Sequence, residues 1–257
     1  MGHGSPPDLS FFHPNGVQHL GTTSVAAAGA AGFFTWLCNA FSLLTKTGAE
    51  ITVSQSVGSK DLKRANIYAN QAVKLSVLIA FIYACLILIF APRLIGLFDF
   101  EAEVTEQAVG YMRIVAPGLF CQFNNNTFSG LYNGQGDSKT PFRITAVGLV
   151  VNILLDPLLI YGYGPFPAMG TAGAAIATAL SQFVVFSIFA RKVFSFRFTL
   201  GKIRLFTAPN KQFAGRIARL GLPVSIENAM FSLFSLTLAT LAARWEAVGV
   251  ATQSIGS

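Results

Sequence analysis

An acidic residue stands in the middle of one of the apolar stretches of this sequence. Asp156 lies in an otherwise uncharged run from residue 144 to residue 163. A carboxylate at the centre of a membrane helix costs roughly 2.5–3.5 kcal/mol on insertion scales, so such a residue is expected to have a function. Asn152 lies one helical turn earlier on the same face. Pro157 has no N–H to donate to the carbonyl of Ile153. These oxygen atoms predict a site for Na+ or a proton; the alternative is a carboxylate that only hydrogen-bonds to neighbouring helices.

A second carboxylate, Glu227, follows Pro223 by one turn in another apolar stretch. It is expected to attract a cationic cargo or join a second ion site; the alternative is that it stabilises the positive N-terminus of its helix or meets the basic linker. Arg113, near the start of the third stretch, is interpreted as an anchor that reaches the membrane surface. Lys46 and Glu50, four residues apart, are predicted to form an ion pair.

The residue types that an enzyme or a metal centre needs do not cluster in the sequence. All three histidines lie in the first 22 residues, without metal-ligand spacing. The three cysteines stand singly in apolar stretches, with no CxxC pair: Cys38, Cys85 and Cys121. We therefore predict no catalytic residue, no metal site and no cofactor, and we expect that the chain is not an enzyme.

Six long apolar stretches must position these residues. Of the 257 residues, 53% are hydrophobic and only 11% are charged, against about 25% charged in soluble domains. A helix needs about 20 apolar residues to span a bilayer. The fold class predicted is therefore all-α, a polytopic membrane helix bundle of about six transmembrane helices. The predicted spans are 23–45, 67–92, 109–132, 141–163, 170–190 and 222–243.

The positive charge of the chain fits a membrane topology better than nucleic-acid binding. The net charge is +7, and the basic residues lie almost wholly between the apolar stretches. Alternate loops carry Lys60, Lys63 and Arg64, then Lys139 and Arg143, then eight Lys or Arg between residues 191 and 219, against Arg93 on the other side. The basic loops are predicted to be cytoplasmic, and the long basic segment is suited to the anionic cytoplasmic leaflet.

Several segments carry a family resemblance. They are 53–58 (VSQSVG), 134–141 (GQGDSKTP) and 152–160 (NILLDPLLI), continued by 170–182, 221–223 and 251–256. In order and spacing they resemble the multidrug and toxic compound extrusion (MATE) family, whose members have about twelve helices in two similar six-helix lobes. The resemblance runs from about residue 18 to the end and matches the second to seventh helices of the family.

The resemblance implies a division of the chain. Residues 1–22 are expected to be a disordered leader, 23–192 five helices of the first lobe, 193–219 a basic cytoplasmic linker between lobes, and 220–257 the first helix of the second lobe with a truncated end. The family's acid on its first helix has no counterpart here. We therefore expect an incomplete transporter that needs the missing remainder as a partner.

The function implied by the resemblance is that of an antiporter. Family members export small organic, often cationic, drugs or toxins in exchange for Na+ or H+, and an Asn and an Asp on one helix act with a Thr on the next. The matching residues here are Asn152, Asp156 and Thr178. The expected partners are a small organic substrate and membrane lipid, and the expected location is a cell membrane, the inner membrane in a bacterium.

Two other functions remain open. A flippase of lipid-linked oligosaccharides belongs to the same broader class, but it would need a groove rich in Arg and Lys, which only Arg113 and Lys46 approach. A receptor or structural helix bundle also has basic inner loops, but no loop here carries the cysteine that usually ties an outer loop.

Overall fold

Long helices make up the computed structural model, which describes residues 22–96, 101–162, 167–195, 198–205, 210–231 and 234, with the side chains of 22–31, 103–104 and 171 left out. Five helices follow one another as α1 (Thr22–Gly58), α2 (Leu62–Gly96), α3 (Ala102–Gly134), α4 (Lys139–Ile160) and α5 (Gly170–Val193). A sixth, α6, spans residues 211–231. No strand occurs in these ranges, and the predicted all-α fold class is confirmed.

Three of the described helices are long and apolar enough to cross a membrane. They are α2, α4 and the part of α5 from Ala172 to Val193. Many exposed side chains of α2 and α4 are large and apolar, including Phe81, Ile89, Leu149 and Leu154. Such faces are suited to lipid rather than to water.

The helices extend beyond the apolar stretches on which the predicted spans rest. α1 continues past residue 45 to Gly58, and α2 begins at Leu62 rather than at residue 67. Each added residue contributes one more backbone hydrogen bond, so a helix continues through polar residues once it has formed. α6 begins at residue 211, within the segment predicted as a linker. In the sixth predicted span, residues 232–233 and those after residue 234 lie outside the described residues.

Side-chain oxygens cap three of the helices. Asp61 Oδ1 accepts a hydrogen bond from Arg64 N (2.9 Å), Asp137 Oδ1 from Thr140 N (3.0 Å), and Asn210 Oδ1 from Gln212 N (3.1 Å). These are the residue types that N-caps favour, because a short side chain can satisfy a free backbone N–H. The caps fix where α2, α4 and α6 begin.

The chain divides into two compact units, the first made of residues up to Thr35, Ile79–Gln122 and Phe142–Phe189. A core cluster of this unit contains Phe34, Ile87, Ile95 and Met112, and Tyr83 Oη donates a hydrogen bond to the carbonyl of Phe34 (2.6 Å). Small residues bring its helices close. A Cβ at Gly118 of α3 would lie 2.9 Å from the Cα of Ala179 of α5. This contact is typical of membrane helices, which pack through small residues.

The second unit contains Trp36–Leu78, Phe123–Pro141 and the residues from Ala190 onward. The run of three asparagines in α3 contributes to it. Asn126 Nδ2 donates to Ser42 Oγ (2.6 Å) and to Asn39 Oδ1 (3.1 Å), and Ser76 Oγ donates to Asn124 Oδ1 (2.6 Å). These hydrogen bonds satisfy polar groups that would be costly in an apolar helix and tie α3 to α1 and α2.

Candidate functional site

The first unit brings two of the predicted ion-site residues into contact. Asn152 Nδ2 donates a hydrogen bond to Asp156 Oδ1 at 3.3 Å, and both side chains are half-buried on α4. The helix continues without a break through Pro157 to Ile160. One carboxylate and one amide therefore face the same environment beside a proline that leaves the Ile153 carbonyl without its usual helical donor. This arrangement offers oxygen ligands for a small cation or a carboxylate for a proton.

Thr178 lies at the level of this pair on the neighbouring helix. Close contacts join Gly173 of α5 to Leu159 of α4, and Gly148 of α4 to Val185 of α5. In two antiparallel helices, these contacts place Thr178 at the same height as the turn between Asn152 and Asp156. The Thr178 side chain is exposed, and its backbone carbonyl accepts a hydrogen bond from Ser181 Oγ (2.8 Å). In the part of the chain that is described, no hydrogen bond joins it to either partner.

Tyr111 of α3 is a neighbour of the site that the sequence did not indicate. It is half-buried against the core cluster of the first unit, and the charge of Asp156 acts on it. Nothing in the spacing of α3 relates Tyr111 to α4, so only the packing of the two helices could identify it. The phenol of Tyr111 is therefore a polar group within electrostatic range of the Asp156 carboxylate.

Glu227 belongs to the second unit and lies exposed on α6. It shares an open face of that helix with Arg219, Leu222, Ile226 and Met230. Because α6 begins at residue 211, Glu227 lies far beyond the first turn of the helix, so its predicted role in stabilising the helix N-terminus is wrong. Its contact with a cargo or a second ion stays a prediction.

The predicted ion pair between Lys46 and Glu50 is wrong. Glu50 Oε2 instead accepts a hydrogen bond from Asn133 Nδ2 of α3 at 3.5 Å. The carbonyl of Lys46 lies against Gly130 of the same helix. The close approach of α3 supplies Glu50 with a partner on another helix, and no ion pair joins these two described side chains. Arg113 is exposed, and its interfacial role stays a prediction.

Metal chemistry has no evident centre in the described residues. They contain no group of three or more His, Cys, Asp or Glu side chains that could hold a metal ion together. In the loop before α4, hydrogen bonds from the side chain and backbone of Thr140 lower the pKa of the Asp137 carboxyl.

Comparisons with known proteins agree on one family. The MatE family model matches residues 16–158, more than half of the chain. The probable multidrug resistance protein NorM of Thermotoga maritima is 29% identical over 88% of this chain and 48% of its own length. The probable multidrug resistance protein YoeA of Bacillus subtilis is 30% identical over 85% of this chain and 48% of its own length.

A solved structure gives the same result for the fold. A MOP superfamily transporter from Pyrococcus furiosus superposes with a TM-score of 0.79 at 28% identity, over 88% of this chain and 49% of that protein. The chain spans about half the length of the relatives it matches.

Proposed function

The chain belongs to the MatE family, and from this premise we propose that it carries the ion-coupling site of an antiporter that exports small organic, often cationic, compounds in exchange for Na+ or H+. The observation that supports the proposal most directly is the contact between Asn152 and Asp156 on an apolar helix. Because MatE proteins are membrane transporters, the predictions of an integral membrane protein and of a protein that is not an enzyme are confirmed.

The proposed coupling begins with the charge of Asp156. An ionised carboxylate is costly in an apolar helix, and a bound proton or Na+ removes that cost. Asn152 Nδ2 donates a hydrogen bond to Asp156 Oδ1, and a donor in this position would stabilise the carboxylate when neither a proton nor Na+ is bound. Binding and release of a proton or Na+ at Asp156 therefore change the balance of interactions on one face of α4.

Pro157 supplies the proposed mechanical response. The helix lacks the hydrogen bond that a non-proline residue would donate to the Ile153 carbonyl, so bending at this point breaks fewer interactions than elsewhere. We propose that neutralisation of Asp156 shifts α4 toward a bent form, and that the shift is coupled to cargo release. Thr178, at the same level on α5, contributes a further oxygen in the ion-bound state.

The same proposal assigns the remaining parts of the molecule. α1 to α5 form most of one lobe, the segment between α5 and α6 connects the lobes, and α6 begins the second lobe with Glu227 facing cargo or a second ion. The remainder of the transporter is the partner that completes the cavity. In a bacterium the location is the inner membrane.

The experiment is an efflux assay in cells, with the protein expressed from its complete gene. Asp156→Asn keeps the size of the side chain and removes the titratable charge, so we expect efflux of a fluorescent organic cation to stop responding to pH or Na+. Asp137→Asn is the matched control, because it makes the same change in a loop carboxylate. Ion-dependent efflux at the wild-type rate by Asp156→Asn would refute the proposal.

A further inference from the structure

A basic pocket lies at the start of α2 in the second unit. It has a volume of about 720 Å3, in the range of ~300–1,000 Å3 typical of ligand pockets. The charged side chains that line it are all positive: Lys63, Lys202 and Arg204. The described lining contains no carboxylate. An anion is therefore the ligand that its charge favours.

The pocket is a built structure, because amide side chains of α2 hold the segment after α5 against that helix. Asn66 Nδ2 donates to the carbonyl of Leu200, and Asn70 Oδ1 accepts a hydrogen bond from Arg204 N at 2.6 Å. Asn70 is buried, at 8% exposure. These hydrogen bonds therefore fix the position of the backbone that carries Lys202 and Arg204.

Two further contacts hold the segment after α5 against α2. Gln71 Oε1 accepts a hydrogen bond from Asn210 N (3.1 Å), and Gln71 is also buried, at 6% exposure. Gly201 adopts a φ of +87°, and a Cβ there would lie 3.1 Å from Asn66 Nδ2. Glycine is favoured at this turn because L-residues rarely adopt a positive φ and because the chain passes close to Asn66.

The rim of the pocket is apolar. Leu62 and Ile67 line it and are exposed at 55% and 40%. A pocket for a free anion needs no such surface, whereas a lipid presents a phosphate next to apolar acyl chains. The loops on this side carry the excess of Lys and Arg that predicts the cytoplasmic face, where the leaflet is anionic.

We propose that this pocket binds the phosphate headgroup of an anionic phospholipid of the cytoplasmic leaflet. Arg204 offers a planar guanidinium that can donate two hydrogen bonds to one phosphate, and Lys63 and Lys202 add point charges. Leu62 and Ile67 contact the first carbons of the acyl chains. The bound lipid anchors the segment between α5 and α6 at the membrane surface.

The test measures lipid binding to the purified protein, expressed from its complete gene, by native mass spectrometry in nonionic detergent. The probes are dioleoyl-phosphatidylglycerol and dioleoyl-phosphatidylcholine. For Lys202→Gln/Arg204→Gln we expect affinity for phosphatidylglycerol to fall by about 30-fold, since each basic side chain near an anionic surface contributes about fivefold. Binding of phosphatidylcholine stays weak in every variant.

Two variants control for charge and folding. Lys139→Gln/Arg143→Gln removes the same charge from exposed positions outside the pocket and is expected to bind like wild type. Lys202→Arg keeps the charge of the pocket and leaves Arg204 in place, so it is expected to retain binding. Size-exclusion chromatography checks that each variant is folded. The proposal would be overturned if both Gln double variants lost the same affinity for phosphatidylglycerol. It would also be overturned if Lys202→Gln/Arg204→Gln lost none. Displacement of the lipid by millimolar inorganic phosphate would overturn the assignment to lipid.

Discussion

Asp156 and Asn152 illustrate which features of a site can be read from sequence. Their spacing of four residues predicted a shared helical face, and the structure joins them by a hydrogen bond of 3.3 Å. Thr178 came from family resemblance, and the packing of α4 on α5 puts it at the same level without a hydrogen bond to the pair. Tyr111 was missed, because its proximity to Asp156 depends on how α3 packs. The spacing of residues in the sequence identifies neighbours on the same helix, whereas neighbours on other helices can be identified only from the fold.

Asp137, at the start of α4, gives a pH-dependent prediction. Hydrogen bonds from the side chain and backbone of Thr140 lower the pKa of its carboxyl. Because the folded-state pKa lies below the unfolded value of about 3.9, the stabilisation is complete above that value and is lost as the pH falls through the folded-state pKa.

The measurement is unfolding in detergent, followed by circular dichroism, at neutral pH and at about pH 3. We expect Asp137→Ala to cost about 1 kcal/mol at neutral pH, as the loss of an N-cap does, and to cost less in acid. Asp137→Asn retains a capping oxygen and is expected to remove only the pH dependence. A cost of Asp137→Ala that is the same at both pH values would contradict this account of the cap.

At the scale of the helices, the apolar stretches predicted which helices form better than they predicted where those helices begin and end. All five numbered helices from α1 to α5 overlap a predicted span, yet α1 continues to Gly58 and α2 starts at Leu62. The ends follow the caps: Asp61, Asp137 and Asn210 precede helices whose first turns are polar. Hydropathy cannot detect those turns. The start of α6 was likewise hidden within the basic segment.

Close helix packing in the second unit depends on Gly130. A Cβ at this position would lie 2.5 Å from the carbonyl oxygen of Lys46, which is backbone and cannot move aside alone. We expect Gly130→Ala to destabilise the protein by about 1–3 kcal/mol, the usual cost of overpacking. Gly110 of the same helix has nothing within 4 Å of its Cβ position.

Gly110→Ala is therefore the matched control for Gly130→Ala. It is expected to leave stability unchanged or raise it by up to about 1 kcal/mol, because alanine is the better helix former. Free energies of unfolding of both variants in the same detergent test the comparison. If Gly130→Ala were as stable as Gly110→Ala, the close approach of α3 and α1 would not be rigid.

At the scale of the whole molecule, the distribution of charge predicts the topology. Ser59 and Ser138 lie exposed in loops with basic neighbours, and Glu101 lies exposed at the start of α3. With Cys38, Cys85 and Cys121 replaced, we expect Ser59→Cys and Ser138→Cys to react with a membrane-impermeant maleimide only after permeabilisation. Glu101→Cys is expected to react in intact cells. The opposite labelling pattern would show that the basic loops face outward.

Reconstitution of the protein from its complete gene into lipid vesicles tests the central claim most directly. The measurement compares two activities of Asp156→Asn: uptake of an organic cation driven by an imposed pH or Na+ gradient, and exchange of labelled for unlabelled substrate without a gradient. The account predicts that gradient-driven uptake is lost while exchange remains, because Asp156 couples the ion to the movement of cargo. Gradient-driven uptake equal to that of wild type would contradict it.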